Sequence, residues 1–184
     1  MNPDQPLSLI HPAQLAEIAR LAREAPPGPL VEVGVYRGGS AWHLLRIARE
    51  QGRILHLYDT FTGIAAAGVN DRHGVGDFGD VSFYEVTQAL SDPQTCFHVG
   101  EFPATLGPFP DHVSFVHVDC DQEITIDAAI AGFWPRLVVG GIMLFDDYPY
   151  LEGARLAVER NFLKSELKMT DGDRYYAVKR RAQA

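Results

Sequence analysis

The 184-residue chain has no apolar run near the roughly 18 residues a membrane-spanning helix requires, and its opening stretch MNPDQPLSLIHP has no basic region leading into an apolar one. Neither a membrane span nor a secretory leader is expected, and the chain reads as cytoplasmic. Cysteine is scarce. Cys96 and Cys120 sit in different segments without CxxC spacing, so the sequence implies neither a disulfide framework nor a thiolate zinc site, and both read as small buried residues. Positive charge is in deficit too, with 16 Lys+Arg against 24 Asp+Glu and a net charge of −8. Without a basic stripe, nucleic acid and anionic membrane are not expected partners. No internal repeat, low-complexity tract or linker is present. With 46% hydrophobic residues spread along the chain, residues 1–184 are expected to fold as one domain whose partner is a small molecule, homo-oligomerisation being left open.

What is present alternates helix and strand. Leu15, Ile18, Ala19, Leu21 and Ala22 recur at helical spacing and predict a helix over 12–25, closed by Pro26-Pro27-Gly28-Pro29; residues 1–29 are thus an N-terminal helix and linker. Residues 30–35 predict a strand, the glycines after it a turn, 41–48 a helix, and 53–58 a second strand closed by Asp59. That βαβ unit sets its two strands parallel and adjacent. Residues 60–80 hold glycines at 63, 68, 74, 76 and 79 without sustained period and read as a candidate lid, with one helical turn at 64–67. A helix over 82–90 follows, capped by Ser82 with Glu85 completing a capping box. Then come a strand at 96–99, a Pro/Gly-rich loop at 103–110, a strand over 113–118 stopping at Asp119, and a helix over 123–133. Gly140-Gly141 turns the chain into a strand at 142–145 that stops at Asp146-Asp147. A helix over 151–163 and two short strands about Asp171-Gly172-Asp173 complete the chain. The fold class is α/β: a Rossmann-like, doubly wound, mostly parallel sheet with a C-terminal antiparallel addition, which binds ligands beyond the carboxyl ends of its strands.

The stretch VEVGVYRGGS (31–40) places Glu32 inside an apolar strand, followed by Gly34, Gly38, Gly39 and Ser40. The glycines let a ligand approach the backbone, and Ser40 can cap the helix or bond the ligand. The dinucleotide fingerprint fails because Tyr36 stands where its second glycine belongs, and no Gly-Lys-Ser/Thr closes a phosphate loop. What remains, E-x-G-x-x-x-G, suits a ligand carrying a sulfonium or ammonium charge near Glu32 and no phosphate, as S-adenosylmethionine does. Asp59 is placed to accept from ribose hydroxyls. The competing reading is that the turn merely packs helix on strand, but a carboxylate inside an apolar strand needs a partner.

Two apolar strands end in carboxylate pairs, Asp119/Asp121 around Cys120 and Asp146/Asp147. If these strands are neighbours, the charges require a proton or a cation. At about 5 Å and an effective dielectric near 20, each pair repels by roughly 3 kcal/mol. All-oxygen ligation favours Mg2+ or another hard divalent cation. Asp119, Asp146 and Asp147 are the expected ligands, leaving Asp121 as general base. The plainer alternative is that Asp121 and Asp147, each preceding a helix, are caps. His73 in the 60–80 segment could assist proton transfer but reads more simply as solvated. His117 reads as a hydrogen-bonded core histidine. Phe61, Phe78, Phe102 and Tyr148 could line an acceptor pocket or simply pack.

From Leu30 to Phe162, the ordered motifs VEVGVYRGGS, YDTFTGI (58–64), VGEFPATL (99–106), HVDCDQEITIDAAIAGFWPRLVVGGIMLFDDY (117–148) and EGARLAVERNF (152–162) resemble a known family. It is the macrocin-type sugar O-methyltransferases (TylF type) among the class I S-adenosylmethionine-dependent methyltransferases. The resemblance implies that Glu32, Gly34, Gly38, Ser40 and Asp59 hold the cofactor, Asp119, Asp146 and Asp147 the metal, and that Asp121 is the base. Cys120 stands where the family usually has Gly, Gln122-Glu123 where it has Leu-Tyr, and the segment before Leu30 is short. The expected activity is metal-dependent methyl transfer to a hydroxyl of a small molecule, a sugar or vicinal diol. Two alternatives stay open: a metal-dependent nucleotide-sugar glycosyltransferase, and a non-catalytic module that binds S-adenosylmethionine without turnover.

Overall fold

Aliphatic runs bounded by glycine, proline or aspartate become the strands of one sheet in the computed structural model, which describes residues 5–107 and 112–181. The runs predicted as parallel neighbours pair as such: β1 (Leu30–Val33) lies between β2 (Leu55–Asp59) and β4 (Val113–Val118), all parallel. Parallel strands β3 (Thr95–Val99) and β5 (Leu137–Phe145) extend the sheet beyond β2 and β4. The Asp-Gly-Asp turn joins β6 (Leu167–Met169) to β7 (Tyr175–Val178), and β7 pairs antiparallel with β5. The order is β3-β2-β1-β4-β5-β7-β6, with β1 central among the parallel strands and every residue of β1 and β4 buried, as in strands covered on both faces.

Side chains alternate between two layers. Leu30, Leu55, Phe115 and Leu144 meet α1 (Pro12–Glu24), α2 (Gly39–Gln51) and α3 (Phe83–Leu90) on one face. Val31, Val116 and Met143 meet α4 (Glu123–Phe133) and α5 (Glu152–Asn161) on the other. The expected doubly wound α/β architecture is the one observed. Among the described residues no helix is long and apolar enough to cross a membrane.

Several local expectations are corrected. Gly140-Gly141 is not a turn before the strand. It lies inside β5, where Gly140 takes φ 85° and the register with β4 shifts, a bulge that only a permissive residue accommodates. Residues 64–67 form no helical turn. Ser82 does cap α3 by accepting the Glu85 N–H. Both cysteines are free and half-buried rather than buried. Of the Pro/Gly-rich stretch 103–110, residues 108–110 lie outside the described residues.

Arg53 ties the N-terminal helix to the sheet. Its guanidinium is buried without a carboxylate and donates instead to the carbonyls of Gly28 (2.6 Å), Ala22 (2.9 Å) and Pro26 (3.0 Å), and to Ser114 Oγ. Burial lowers its pKa to about 10. The planar fork meets several acceptors at once, which an ammonium cannot do. Arg53→Lys is therefore expected to destabilise the protein by about 2 kcal/mol, through carbonyls left unpaired, in denaturant titration.

Candidate active site

The ladder continues one residue past each central strand. Gly34 N donates to Tyr58 O (2.9 Å), Asp119 N to Val33 O (2.8 Å) and Asp146 N to Val118 O (3.0 Å), so these three residues stand in a row at the carboxyl edge of the sheet. At Gly34, φ is +91°, and a Cβ there would fall on the backbone carbonyl of Asp119, far inside the 3.0 Å that real Cβ contacts keep. The glycine is required by the neighbouring strand end as much as by any ligand. Beyond it, Asp59 organises the turn: Oδ2 accepts from Val35 N (2.7 Å) and Tyr36 N (2.9 Å), and Oδ1 from Phe61 N (2.7 Å). Gly38, at φ 88°, is the N-cap of α2. Ser40 is therefore not the cap; it lies buried inside the first turn and on the cavity wall.

The carboxylates expected to converge do so, because β4 and β5 are neighbours. Asp119, Asp146 and Asp147 each offer an oxygen within 4.8 Å of the others. Asp121, at φ 62°, lines the same cavity. Neither pair caps a helix: the N-cap of α4 is Gln122, whose first-turn Glu123 N–H is accepted by Asp71 Oδ1 (2.8 Å), and the N-cap of α5 is Leu151. Burial together with Asp146, Asp147 and Asp121 pushes Asp119 well above the usual carboxylate range, against the pull of His117. Burial, Asp121 and Asp146 do the same to Asp147. Burial and Asp146 raise Asp121 while His73 opposes them. Asp146 goes the other way. Burial penalises its charge, but His117 and Arg174 hold it below its ordinary value.

Glu32 does not reach the cavity. It is fully buried opposite His117 in the β1–β4 register, with Oε1 2.8 Å from His117 Nδ1, so its partner is an imidazole within the fold. His117 is the hydrogen-bonded core histidine expected. Burial works against its charge, yet Asp146 and Glu32 outweigh that and raise its pKa, and Nε2 stands 3.7 Å from Asp146 Oδ1. Arg174 completes the row, donating from Nε to Asp146 Oδ1 at 3.0 Å. The sequence reading missed Arg174, because only the β5–β7 register, with Phe145 opposite Tyr175, sets residue 174 beside Asp146. Five carboxyl groups (Glu32, Asp119, Asp121, Asp146, Asp147) thus meet two cationic side chains (His117, Arg174). Asp147 Oδ2 is buried without a hydrogen-bond partner among the described residues. An all-oxygen donor set with charge in excess and an orphaned oxygen fits a hard divalent cation.

The cavity holds about 370 Å³, within the range of small-molecule sites. Its wall also includes Leu7 to Ile10, ahead of α1, and Gln122, whose buried Nε2 has no partner among the described residues. Neither had a signature in the sequence. Of the four aromatics considered, Phe78 and Phe102 line the cavity, whereas Phe61 packs on Phe83 and Tyr148 on Tyr175. His73 is not on the wall; it sits 3.5 Å from Asp77 and against Phe78. The 60–80 segment is tied down by Asn70 O accepting Gly153 N (3.1 Å) and by Tyr36 Oη donating to Asp80 (2.8 Å).

With that geometry in place, comparison with known proteins is specific. Residues 13–175 match the model of the macrocin O-methyltransferase (TylF) family. The chain is 31% identical over 140 residues to the 8-demethyl-8-(2,3-dimethoxy-alpha-L-rhamnosyl)-tetracenomycin-C 4'-O-methyltransferase of Streptomyces olivaceus, covering 66% of this chain and 53% of that one. It is 30% identical over 158 residues to the demethyldecarbamoylnovobiocin O-methyltransferase of Streptomyces niveus, covering 77% of this chain and 60% of that one. The chain therefore spans between about half and three fifths of these relatives' length. Among solved structures, the O-methyltransferase NovP superposes with a TM-score of 0.81 at 28% identity, covering 95% of this chain and 82% of that one. The glycosyltransferase alternative finds no support in these matches. The sheet order, the glycine turn, the converging aspartates and the family match agree: the chain belongs to the TylF macrocin O-methyltransferase family.

Proposed function

We propose that the chain transfers a methyl group from S-adenosylmethionine to a hydroxyl of a sugar or similar vicinal diol, with a hard divalent cation such as Mg2+ held by Asp119, Asp146 and Asp147. One observation carries the reading: one oxygen from each of those three carboxylates lies within 4.8 Å of the others, on the wall of the cavity that the glycine turn also lines. The name of the Streptomyces olivaceus relative, whose substrate bears a rhamnosyl group, supports a glycosylated small molecule as acceptor. A cytoplasmic location accords with this reading.

When bound, S-adenosylmethionine supplies an electrophilic methyl, and the cation a Lewis acid that lowers the acceptor hydroxyl's pKa. The chain's own residues do the rest. Gly34 and Gly38 keep the turn free of side chains, Ser40 offers a hydroxyl, and Asp59 fixes the turn through three backbone N–H groups while facing the cavity. Asp121, carried into the cavity by its left-handed backbone, accepts the proton that the acceptor hydroxyl loses as its oxygen bonds to the methyl carbon and the carbon–sulfur bond breaks. Glu32 acts from behind as a positioning residue, orienting His117 toward Asp146. Most of the rate then comes from alignment of the reacting atoms.

Titration calorimetry should detect S-adenosylmethionine binding with or without chelator, whereas methylation of a deoxysugar-glycoside panel should stop in chelator and return with Mg2+. Failure to bind at millimolar donor overturns the donor assignment. Full turnover in chelator overturns the metal assignment, and binding without turnover across the panel identifies the non-catalytic module instead.

A further inference from the structure

Among the described residues, one group of side chains besides the carboxylates could hold a metal, and its chemistry is different. β2 and β3 run parallel with His56 opposite Cys96 and Tyr58 opposite His98, so strand alternation puts His56, Cys96 and His98 on one face of the sheet. His98 reaches diagonally to His56, where His56 Nδ1 and His98 Nε2 meet at 3.0 Å. One donor atom from each of the three residues lies within 4.8 Å of the others. His56 is buried, Cys96 and His98 are half-buried, and Cys96 is a free thiol.

We propose that His56, Cys96 and His98 form a second metal site that takes a borderline divalent cation of the Zn2+ class. Two imidazole nitrogens and one sulfur exclude Mg2+ and Ca2+, which take oxygen, and match the His/Cys sets that bind Zn2+ tetrahedrally with a fourth position left over. Around such an ion, bonds of about 2.0–2.1 Å to nitrogen and 2.3 Å to sulfur set the donors about 3.3–3.6 Å apart. In the structure His56 Nδ1 and His98 Nε2 are 3.0 Å apart and one donor atom of each of the three residues lies within 4.8 Å of the others, so an ion would part the imidazoles slightly and draw the set together. Burial favours the neutral form of both imidazoles, the form that binds metal. Burial, with His98 adjacent, lowers His56 to about 4, and burial lowers His98. The orientation of His98 is fixed by Tyr58, whose ring stacks on it at 4.1 Å and 5°. On binding, Cys96 gives its proton to solvent and the thiolate joins the ion.

The absence of CxxC spacing hid this set, because its ligands come from two strands: a C-x-H pair on β3 and a single histidine opposite it on β2. The position gives the site a role. β3 is the outermost strand on its side of the sheet and leads directly into Gly100, Glu101 and Phe102 on the cavity wall, and Tyr58, which stacks on His98, lines the same cavity. A cation bridging β2 and β3 staples that wall in place, a structural duty independent of the methyl-transfer reading.

The test uses the full chain stripped of metal, in excess Mg2+ to fill the carboxylate centre, titrated with Co2+ as the probe. One equivalent is expected to give thiolate-to-cobalt charge-transfer absorption with intense tetrahedral visible bands, both bleached by one equivalent of Zn2+. The charge-transfer band should vanish in Cys96→Ser and persist in Cys120→Ser. His98→Gln should weaken Co2+ binding at least tenfold, and Zn2+ should raise the melting temperature of the wild type but not of Cys96→Ser. No charge-transfer band in the wild type overturns the proposal. So does a band that survives Cys96→Ser or disappears in Cys120→Ser. Should Cys96→Ser fail to fold, unchanged Co2+ affinity in His98→Gln overturns it alone.

Discussion

Replacing Asp119 by asparagine is expected to lower methyl transfer about 10³-fold while changing S-adenosylmethionine affinity only a few-fold. The amide keeps the size of the side chain and one acceptor oxygen, but removes a charge from the three-carboxylate set. The residues proposed to hold the donor lie in the turn after β1, at the start of α2 and at the end of β2, so donor binding should survive. Stability separates this variant from its neighbour. Asp119 is raised well above the carboxylate range by burial and by Asp146, so its ionised form is opposed by the fold. Two charges near 5 Å at an effective dielectric of 20 repel by about 3 kcal/mol. Metal-free Asp119→Asn should therefore melt no lower than the wild type. Asp146→Asn should lose the same activity and also melt lower, by an amount equivalent to about 1–3 kcal/mol, because Arg174 and His117 lose the carboxylate between them. Rates in Mg2+ and in chelator, with melting curves of the metal-free proteins, test both halves. An Asp119→Asn enzyme that retains its full rate would remove the metal from the proposed chemistry.

The contrast between those two aspartates marks where sequence reading stops. That Val113–Val118 and Ile142–Phe145 are strands ending in carboxylates is local information, carried by apolar runs and the polar residues that close them, and the βαβ rule then sets β1 beside β2. The row Glu32–His117–Asp146–Arg174 draws on four separate segments and exists only in a particular register, so β1 taken alone shows a lone buried acid whose partner is on another strand. Gly140-Gly141 failed for the opposite reason. A glycine pair signals a turn locally, and only pairing with β4 shows that the chain runs on through a bulge. The N-terminal residues 7–10 reach the cavity by tertiary packing, as Ser8 against Gly39 illustrates, and no periodicity announces such a contact.

Gly34→Ala should be among the most damaging single-methyl changes available to this chain, costing about 4 kcal/mol or more. Two penalties add. At φ +91° an L-residue is strained by about 1–3 kcal/mol. The new Cβ also meets a backbone carbonyl, that of Asp119, rather than a side chain that could rotate away. Neither strand can yield cheaply, since Asp119 N is bonded to Val33 O and Gly34 N to Tyr58 O, and separating them breaks the ladder on both sides of β1. Gly52→Ala isolates the first penalty: Gly52 has φ +65° at the C-cap of α2 and nothing within 4 Å of its would-be Cβ, so it should cost only about 1–2 kcal/mol. Urea titration of the two variants beside the wild type measures the difference. Equal losses would show that the β1 turn and the end of β4 are not in close contact. A larger loss at residue 34, accompanied by weakened cation binding, would show that the glycine which opens the turn also sets where Asp119 points, so that donor pocket and carboxylate centre share one backbone contact.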